Sequence, residues 1–291
     1  MDELELANRF DRQRPQLRGV AYRILGSVSE ADDAMQEAWL RLRRTDAEQI
    51  DSLERWLTTV VARICLNMLR ARRARGEQPF DGLRPEPIID NPAVGTDPEH
   101  EALLADSVGI ALQVVLDTLS PAERLAFVLH DMFAVPFDEI AAMVSRSPQA
   151  TRQLASRARR RVREAAPPPD PDLARQRAVV DAYFAAAREG DLDALVAVLH
   201  PDVVLRAHRR DGDPITLHGA ADVARGAASA RRFAPYVRPA LVNGTAGAVA
   251  FDGDRPFAVL AFTVVGDRAV AIDVFNDPEL VAKLDIHGIT A

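Results

Sequence analysis

The sequence contains one cysteine, Cys65, and one lysine, Lys283, among 291 residues. A single cysteine excludes an internal disulfide, and its place in an apolar helical run predicts a buried, inert thiol. No apolar run approaches the ~20 residues that cross a bilayer. The start, Met1-Asp2-Glu3-Leu4-Glu5, has no basic segment of the kind that opens a signal peptide. A soluble, cytoplasmic chain with no membrane partner is expected. There is no internal repeat. What is present is a hydrophobic content of 48%, which excludes a mostly disordered chain. The length leaves room for two or three small domains.

The most informative absence is local. Residues 55–75 hold six arginines and no acid, and residues 146–163 hold seven arginines and no acid, in a chain of net charge −7. Positive charge is therefore placed rather than spread. Placed at helical spacing, it points to phosphate backbones. Between these stretches, residues 77–139 hold 13 acids and two arginines, a net of −11. Such a connector is a solvated linker, or a surface that repels DNA, or one that mimics DNA and binds a basic partner surface.

Apolar periodicity predicts helices over most of residues 4–76. Phe10, Leu17, Ala21, Ile24 and Leu25 recur at three- to four-residue steps, and Gly26-Ser27 breaks the run. A second helix is expected from about Ser29, with Ser29 and Asp32 as a loose capping box and Ala31, Ala34, Met35, Ala38, Trp39 and Leu42 on one face. A third runs from about Ser52 to Arg75. Pro79, Pro85, Pro87, Pro92 and Pro98 make residues 77–100 a linker. Helical periodicity returns at residues 99–116. Ser120-Pro121-Ala122-Glu123 supplies a cap, a proline at the first helical position and a capping-box glutamate. A short helix over 137–144, a turn at Ser145-Arg146 and a helix capped by Ser147 and running to about 165 make a helix-turn-helix. Residues 166–172, Ala166-Pro167-Pro168-Pro169-Asp170-Pro171-Asp172, form a stiff spacer. Beyond it, helices are expected over 173–188, 192–199 and 222–233, with Gly190 as a stop. Apolar runs rich in β-branched residues follow at 240–243, 246–251, 257–265 and 269–275, with Gly253-Asp254 and Gly266-Asp267 as hairpin signals.

The second helix of a helix-turn-helix lies in the major groove. Counted from Ser147, Thr151, Leu154, Ala155 and Ala158 face inward. Pro148, Gln149, Arg152, Gln153, Ser156 and Arg157 face outward, where glutamine can pair with adenine and arginine with guanine. Arg159, Arg160, Arg161 and Arg163 are placed for phosphates. The helix from Arg55 differs. Trp56, Thr58, Thr59, Arg63, Asn67 and Arg70 combine an aromatic ring with polar and cationic groups, a set that can cradle unpaired bases. Trp56 taken alone reads as a core tryptophan.

Asp32-Asp33-Ala34-Met35-Gln36-Glu37-Ala38-Trp39-Leu40-Arg41-Leu42 and Arg55-Trp56-Leu57-Thr58-Thr59-Val60-Val61-Ala62-Arg63 closely resemble region two of bacterial extracytoplasmic-function sigma factors of the sigma-70 family. Leu119-Ser120-Pro121-Ala122-Glu123-Arg124, Phe137-Asp138-Glu139-Ile140-Ala141 and Arg152-Gln153-Leu154-Ala155-Ser156-Arg157-Ala158 resemble region four. The remainder resembles the SnoaL-like cone fused to one sigma subfamily. The resemblance implies two all-α sigma domains, a region 2 helical bundle and a region 4 helix-turn-helix, plus a C-terminal α+β SnoaL-like cone with a curved antiparallel sheet. Expected boundaries are 1–76 for region 2, 77–110 for a linker, 111–165 for region 4, 166–172 for the spacer and 173–291 for a regulatory tail.

The same resemblance assigns partners and roles. Core RNA polymerase, through its β′ clamp helices and β flap, and promoter DNA are the implied partners; no catalytic residue, cofactor or metal is implied. Asp32, Asp33, Gln36, Glu37, Leu40 and Arg41 would dock on polymerase. The polar segment 43–52 and Arg55, Trp56, Thr58, Thr59, Arg63, Asn67 and Arg70 would open and hold the −10 element. Pro148, Gln149, Arg152, Gln153, Ser156, Arg157 and Arg160 would read the −35 element. Asn276, Asp277, Pro278 and Leu280 would join the tail to the sigma core. Three subfamily motifs are altered. Gly82-Leu83-Arg84-Pro85-Glu86-Pro87 stands for Trp-Leu-Pro-Glu-Pro, Asp211-Gly212-Asp213-Pro214 for a glycine-rich Asp-Gly-Gly-Gly-Lys-like motif, and Asn276-Asp277-Pro278-Glu279-Leu280 matches the third only loosely.

Two other readings compete. A SnoaL-type enzyme would draw its acid–base residues from Tyr183, His208, Tyr236 and Asp273, a strand histidine and an aspartate across the sheet being able to move a proton. The stretch Arg206-Ala207-His208-Arg209-Arg210-Asp211 reads as polar and partly exposed. A small ligand in the cone belongs to this class of reading. A helix-turn-helix regulator with a ligand-sensing or enzymatic tail is the second; it needs a dimer on a palindrome and leaves residues 32–75 unexplained.

Overall fold

The structure of the chain is a computed structural model, which describes residues 3–45, 50–74, 85–93, 109–165, 168–208, 215–286, 288 and 289. The motif residues Gly82, Leu83 and Arg84, the motif at 211–214, Arg75, and part of the predicted linker lie outside the described residues.

Helix α1 (Glu3–Leu25) carries Pro15 in its interior, and both Pro15 and Asp11, whose carbonyl loses the bond an N–H would make, are exposed residues. Gly26 ends the helix at φ +82, with its N–H donating to Tyr22 O at 2.7 Å. Helix α2 (Val28–Arg44) starts one turn position earlier than the sequence predicts: the cap is Ser27, whose Oγ accepts from Glu30 N, not Ser29. Ser27 wins because Glu86, far along the chain, joins it. The Ser27 hydroxyl donates to Glu86 Oε2 at 3.0 Å and Val28 N donates to the same oxygen at 2.8 Å. A carboxylate at a helix N-terminus also meets the positive end of the dipole. Helix α3 (Leu53–Ala74) packs across both.

Of the linker, residues 85–93 are described. They contain a two-residue strand, β1 (Ile89–Asp90). Helix α4 (Gly109–Asp117) precedes α5 (Pro121–Phe127), which carries the predicted Ser120/Glu123 capping box and runs on as a π-helical turn, Val128–Met132. Helices α6 (Phe137–Val144) and α7 (Pro148–Ala165) form the helix-turn-helix, with Ser145 in the left-handed conformation at the turn. The first seven helices share one core. Leu17, Leu57, Leu116, Leu125, Ile140 and Ala155 belong to a single continuous apolar cluster. Cys65 lies inside it, fully buried, and burial pushes its thiol pKa up to about 12, so the thiolate does not form at neutral pH.

The tail opens with α8 (Leu173–Glu189) and α9 (Leu192–Val198), capped by Asp172 and Asp191. Strands β2 (Leu199–His208) and β3 (Ile215–His218) precede α10 (Ala220–Ser229) and a 3-10 turn at Arg231–Tyr236. Strands β4 (Val237–Val242), β5 (Thr245–Asp252), β6 (Arg255–Val265) and β7 (Arg268–Phe275) lead to a last short helix, α11 (Pro278–Val281). The sheet order is β1-β4-β5-β6-β7-β2-β3, antiparallel throughout except for the parallel pair β2–β7. It is therefore mixed rather than wholly antiparallel. Its first strand comes from the linker, with Ile89 opposite Val242.

The sheet has two apolar faces. Helices α8, α9 and α10 cover the concave one. The convex face carries Val249, Phe251, Val259 and Phe275, and is covered by Ile89 of the linker, Ile110 of α4 and Ile289 near the C-terminus. The spacer is docked too, since Asp170 N donates to Val264 O at 2.7 Å.

One side chain ties three segments together. Asn243 and Gly244, at φ +50 and +75, turn the β4–β5 hairpin, as Asn-Gly does in a type I′ turn. Asn243 Oδ1 accepts from Ile88 N at 2.8 Å, and Asn243 Nδ2 donates to Tyr22 Oη at 3.0 Å. The Tyr22 hydroxyl in turn donates to Glu86 O at 2.8 Å. Asn243→Ala strips partners from two buried groups, so urea denaturation of the full chain should show a loss of roughly 1–3 kcal/mol. Asn276→Ala, at an exposed position, should cost under about 0.5 kcal/mol.

Candidate nucleic-acid interface

Trp56, Thr59, Arg63, Asn67 and Arg70 fall at steps of three and four on α3, so they share one face. Arg63, Asn67 and Arg70 are exposed; Trp56 is half-buried and packs on the core. Arg63 and Arg70 make no ion pair among the described residues. Thr58 and Thr59 donate their hydroxyls to Glu54 O and Arg55 O, at 2.9 Å each, leaving only oxygen lone pairs to offer a ligand. Arg55 reaches Glu139 of α6 at 3.1 Å with its side chain 72% exposed, a pair worth little in water. Arg72 turns inward to Glu30 and to Leu25 O.

On α7 the buried side is Thr151, Ala155 and Ala158, with Leu154 half-buried, as the spacing predicts. Gln149, Arg152, Gln153, Ser156, Arg157 and Arg160 are exposed and Pro148 half-buried. Arg152 lies over the Phe137 ring at 5.7 Å. The phosphate assignment needs dividing. Arg159 pairs with Asp131 at 2.6 Å, and Arg157 and Arg161 pair with Glu123 at 3.1 and 3.5 Å. Arg146, Arg160 and Arg163 make no ion pair among the described residues. Burial pushes the Glu123 pKa up, but hydrogen bonds from Ser120 and the two arginines hold it below the usual carboxylate range.

The expected polymerase face on α2 is an exposed strip of Asp33, Gln36, Leu40 and Arg41. Arg18 grips Asp32 through two bonds of 2.6 and 2.9 Å, and Arg41 pairs with Glu37 at 2.8 Å. A cleft of about 510 Å³ between α1 and α2, lined by Phe10, Arg14, Asp33, Gln36 and Trp39 among others, adjoins this strip.

The two helical modules are joined internally. Arg124 of α5, 3% exposed, ion-pairs with Asp117 and donates to Arg23 O at the end of α1. Gln113 of α4 lies within hydrogen-bond reach of Gly26 N and Arg124.

In the tail, Asn276 and Pro278 are exposed, Asp277 caps α11 by accepting from Glu279 N, and Leu280 is half-buried against the convex-face cluster. Asn243 and Ile88 also join the tail to the linker and to Tyr22, and Leu280 packs on the same cluster as Ile89 of the linker and Ile110 of α4. The Asn243-Gly244 dipeptide between two alternating apolar runs was the one available signal, and it announces a turn rather than a clamp.

The acid–base candidates do not converge. Tyr183 lies on the concave side of the sheet and Tyr236 is 52% exposed. His208 and Asp273 lie on the convex side, 2% and 1% exposed, with His208 Nε2 2.9 Å from Asp273 Oδ1. Arg206 donates to both Asp273 oxygens at 2.7 and 2.8 Å, and His208 stacks on Phe275. Arg206 and Ala207 are half-buried, in keeping with the partly exposed stretch expected, whereas His208 is buried, stacked on Phe275 and bonded to Asp273. No metal-binding group of His, Cys, Asp or Glu occurs among the described residues, and no described helix is long and apolar enough to cross a membrane.

Two arginine-bearing helix faces on one helical core, one of them the second helix of a helix-turn-helix, are the pattern of a DNA-binding protein. Comparison with known proteins agrees with that class and refines it. Sigma-70 region 2 matches residues 10–75, and sigma-70 region 4 matches residues 110–162. SigJ of Mycobacterium tuberculosis, a sigma factor of the extracytoplasmic-function type, is 39% identical over 285 residues, covering 92% of this chain and 90% of the relative. The probable sigma factor SigI of the same species is 36% identical over 199 residues, 68% of each chain. The crystal structure of M. tuberculosis SigJ superposes with a TM-score of 0.77 at 34% identity, covering 96% of this chain and 99% of that one. The chain belongs to the extracytoplasmic-function RNA polymerase sigma factors, promoter-directing initiation factors rather than enzymes, here with a C-terminal α+β domain built on a curved mixed sheet.

Asp273 has a defined acid signature. Burial raises its pKa, but Arg206 and His208 outweigh burial and hold it below the ordinary value. A depressed carboxylate contributes stability above the unfolded pKa of ~3.9 and loses it as pH falls through the folded value. Asp273→Asn should therefore cost roughly 3 kcal/mol near pH 7, by leaving Arg206 unpaired. The difference from wild type should shrink below about pH 4 in urea melts run from pH 7 to pH 2.

Proposed function

We propose that α3 holds the melted −10 element through Trp56, Thr58, Thr59, Arg63, Asn67 and Arg70, while α7 reads the duplex −35 element through Gln149, Arg152, Gln153 and Ser156, with Arg160 on phosphate. The observation that carries this is the partition of the arginines. Those turned toward the core or toward acids are paired. Arg63, Arg70 and Arg160, on exposed faces of two different helices, are not. The α2 strip from Asp32 to Arg41 docks on the clamp helices of core RNA polymerase, and the work is done in the cytoplasm. Each DNA module alone binds weakly; polymerase fixes their spacing and raises the effective concentration of the second contact.

The division of labour follows residues 1–76, 111–165 and 173–291, but the linker and α4 belong functionally to the tail. Helix α4 presents Ile110 to the sheet, Gln113 to the end of α1 and Asp117 to Arg124. A shift of the sheet therefore acts on both sigma modules through one helix. In this reading the tail sets their relative orientation and so modulates transcription.

Purified full chain should co-elute with core polymerase at low salt and support run-off transcription from a cognate promoter. Ending the chain after residue 275 removes Leu280, Val281 and Ile289 and should change that output. No co-elution would overturn the polymerase reading, and unchanged output on truncation would overturn the modulatory one. Within the DNA face, Arg160→Ala should weaken binding evenly across sequences and lower the salt slope by about 1, whereas Arg152→Ala should cost roughly 1–3 kcal/mol at cognate sites only.

A further inference from the structure

The concave side of the tail encloses a cavity that the promoter reading does not use. Its volume is about 170 Å³. Phe184, Leu205, Leu260 and Val274 form its walls, and Phe233 and Phe257, tilted against each other with ring centroids 4.9 Å apart, form its rim beside the exposed Ala230. Of all the side chains that line it, Tyr183 alone carries a polar atom.

Tyr183 is 4% exposed, and its ring is held edge-on by Phe184 and Phe262 at 5.3 and 5.2 Å. Its hydroxyl has no hydrogen-bond partner among the described residues, and it is not sealed among packed atoms: it borders the open space. A buried hydroxyl without a partner is a standing destabilisation of ~1–3 kcal/mol. A phenylalanine would fill the same volume without that penalty. The ring is fixed, so the hydroxyl is held ready to donate to whatever enters. Burial raises its pKa, which keeps the proton on.

The chemistry of the lining selects the guest. No charged group is present, so an ion would lose its hydration without compensation. The volume is close to that of apolar cavities of ~150 Å³ that stay dry and take up benzene. We propose that the cone binds one small, neutral, mainly apolar molecule carrying a single acceptor oxygen, of the size of a monocyclic aromatic ketone, with Tyr183 as its hydrogen-bond donor.

Acetophenone and ethylbenzene differ by that oxygen alone and serve as probes for titration calorimetry and methyl NMR on the full chain. Wild type should bind acetophenone about tenfold more tightly than ethylbenzene, the equivalent of ~1.4 kcal/mol, with shifts centred on Leu205, Leu260 and Val274. Tyr183→Phe should keep ethylbenzene binding and erase the preference. Ala230→Trp, at the exposed rim, should block both probes without lowering the melting temperature. The proposal falls if neither probe gives saturable binding up to its solubility, if the shifts centre elsewhere, or if the preference survives in Tyr183→Phe. The experiment contains neither polymerase nor promoter, so its failure leaves the DNA reading standing.

Discussion

The architecture depends on a hydrogen-bonded knot around Asn243. A hairpin turn in the tail, a tyrosine at the end of the first helix and the linker backbone meet there, and no one of the three is satisfied without the others. The constraint is one of desolvation. Tyr22 is fully enclosed, and its hydroxyl oxygen would lose its Asn243 donor if the hairpin moved away, keeping only the bond it donates to Glu86 O. Burial without partners costs more than the bonds themselves contribute. The knot therefore acts less as glue than as a condition: the sheet, the linker and the first helical module take up this arrangement together.

The acidic middle of the chain acquires a different meaning in this light. Glu86 caps α2, Asp117 neutralises Arg124, and Glu123 closes a capping box while restraining Arg157 and Arg161. These charges are spent locally, fixing arginines and helix ends, and their effect is to leave a small set of cations outward. A count of positive charge along α7 overstates the number of unpaired cations for that reason.

The helices were legible because their signals are local. The Ser120 capping box, the Ser147 turn and the inward row of Thr151, Ala155 and Ala158 follow from spacings within one or two turns. The family was legible too, since the α2, α3 and helix-turn-helix motifs are long. Contacts that join distant segments were not. The cap at Ser27 rather than Ser29 depends on Glu86. The parallel β2–β7 pair and the linker strand depend on topology, which two residues of sequence at Ile89-Asp90 cannot announce. His208 and Asp273 were paired correctly across the sheet, yet sequence alone could not tell which face they occupy, because both faces of this sheet are apolar. The partition into paired and unpaired arginines on α7 was invisible because Arg157, Arg159 and Arg161 reach acids 28 to 38 residues away in the sequence.

The separation between Tyr22 and Asn243 is 221 residues. The last 78 of those residues follow Ala165 at the end of α7, and a ribosome adding roughly 5–20 residues per second needs about 4–16 s to cover them. For that interval a nascent chain already owns both arginine helices but not the hairpin that fastens them. Birth order thus gives each molecule a brief youth without its tail, during which the DNA-facing half answers to nothing C-terminal of it. The length of that window is written into the order of the domains rather than into any contact between them.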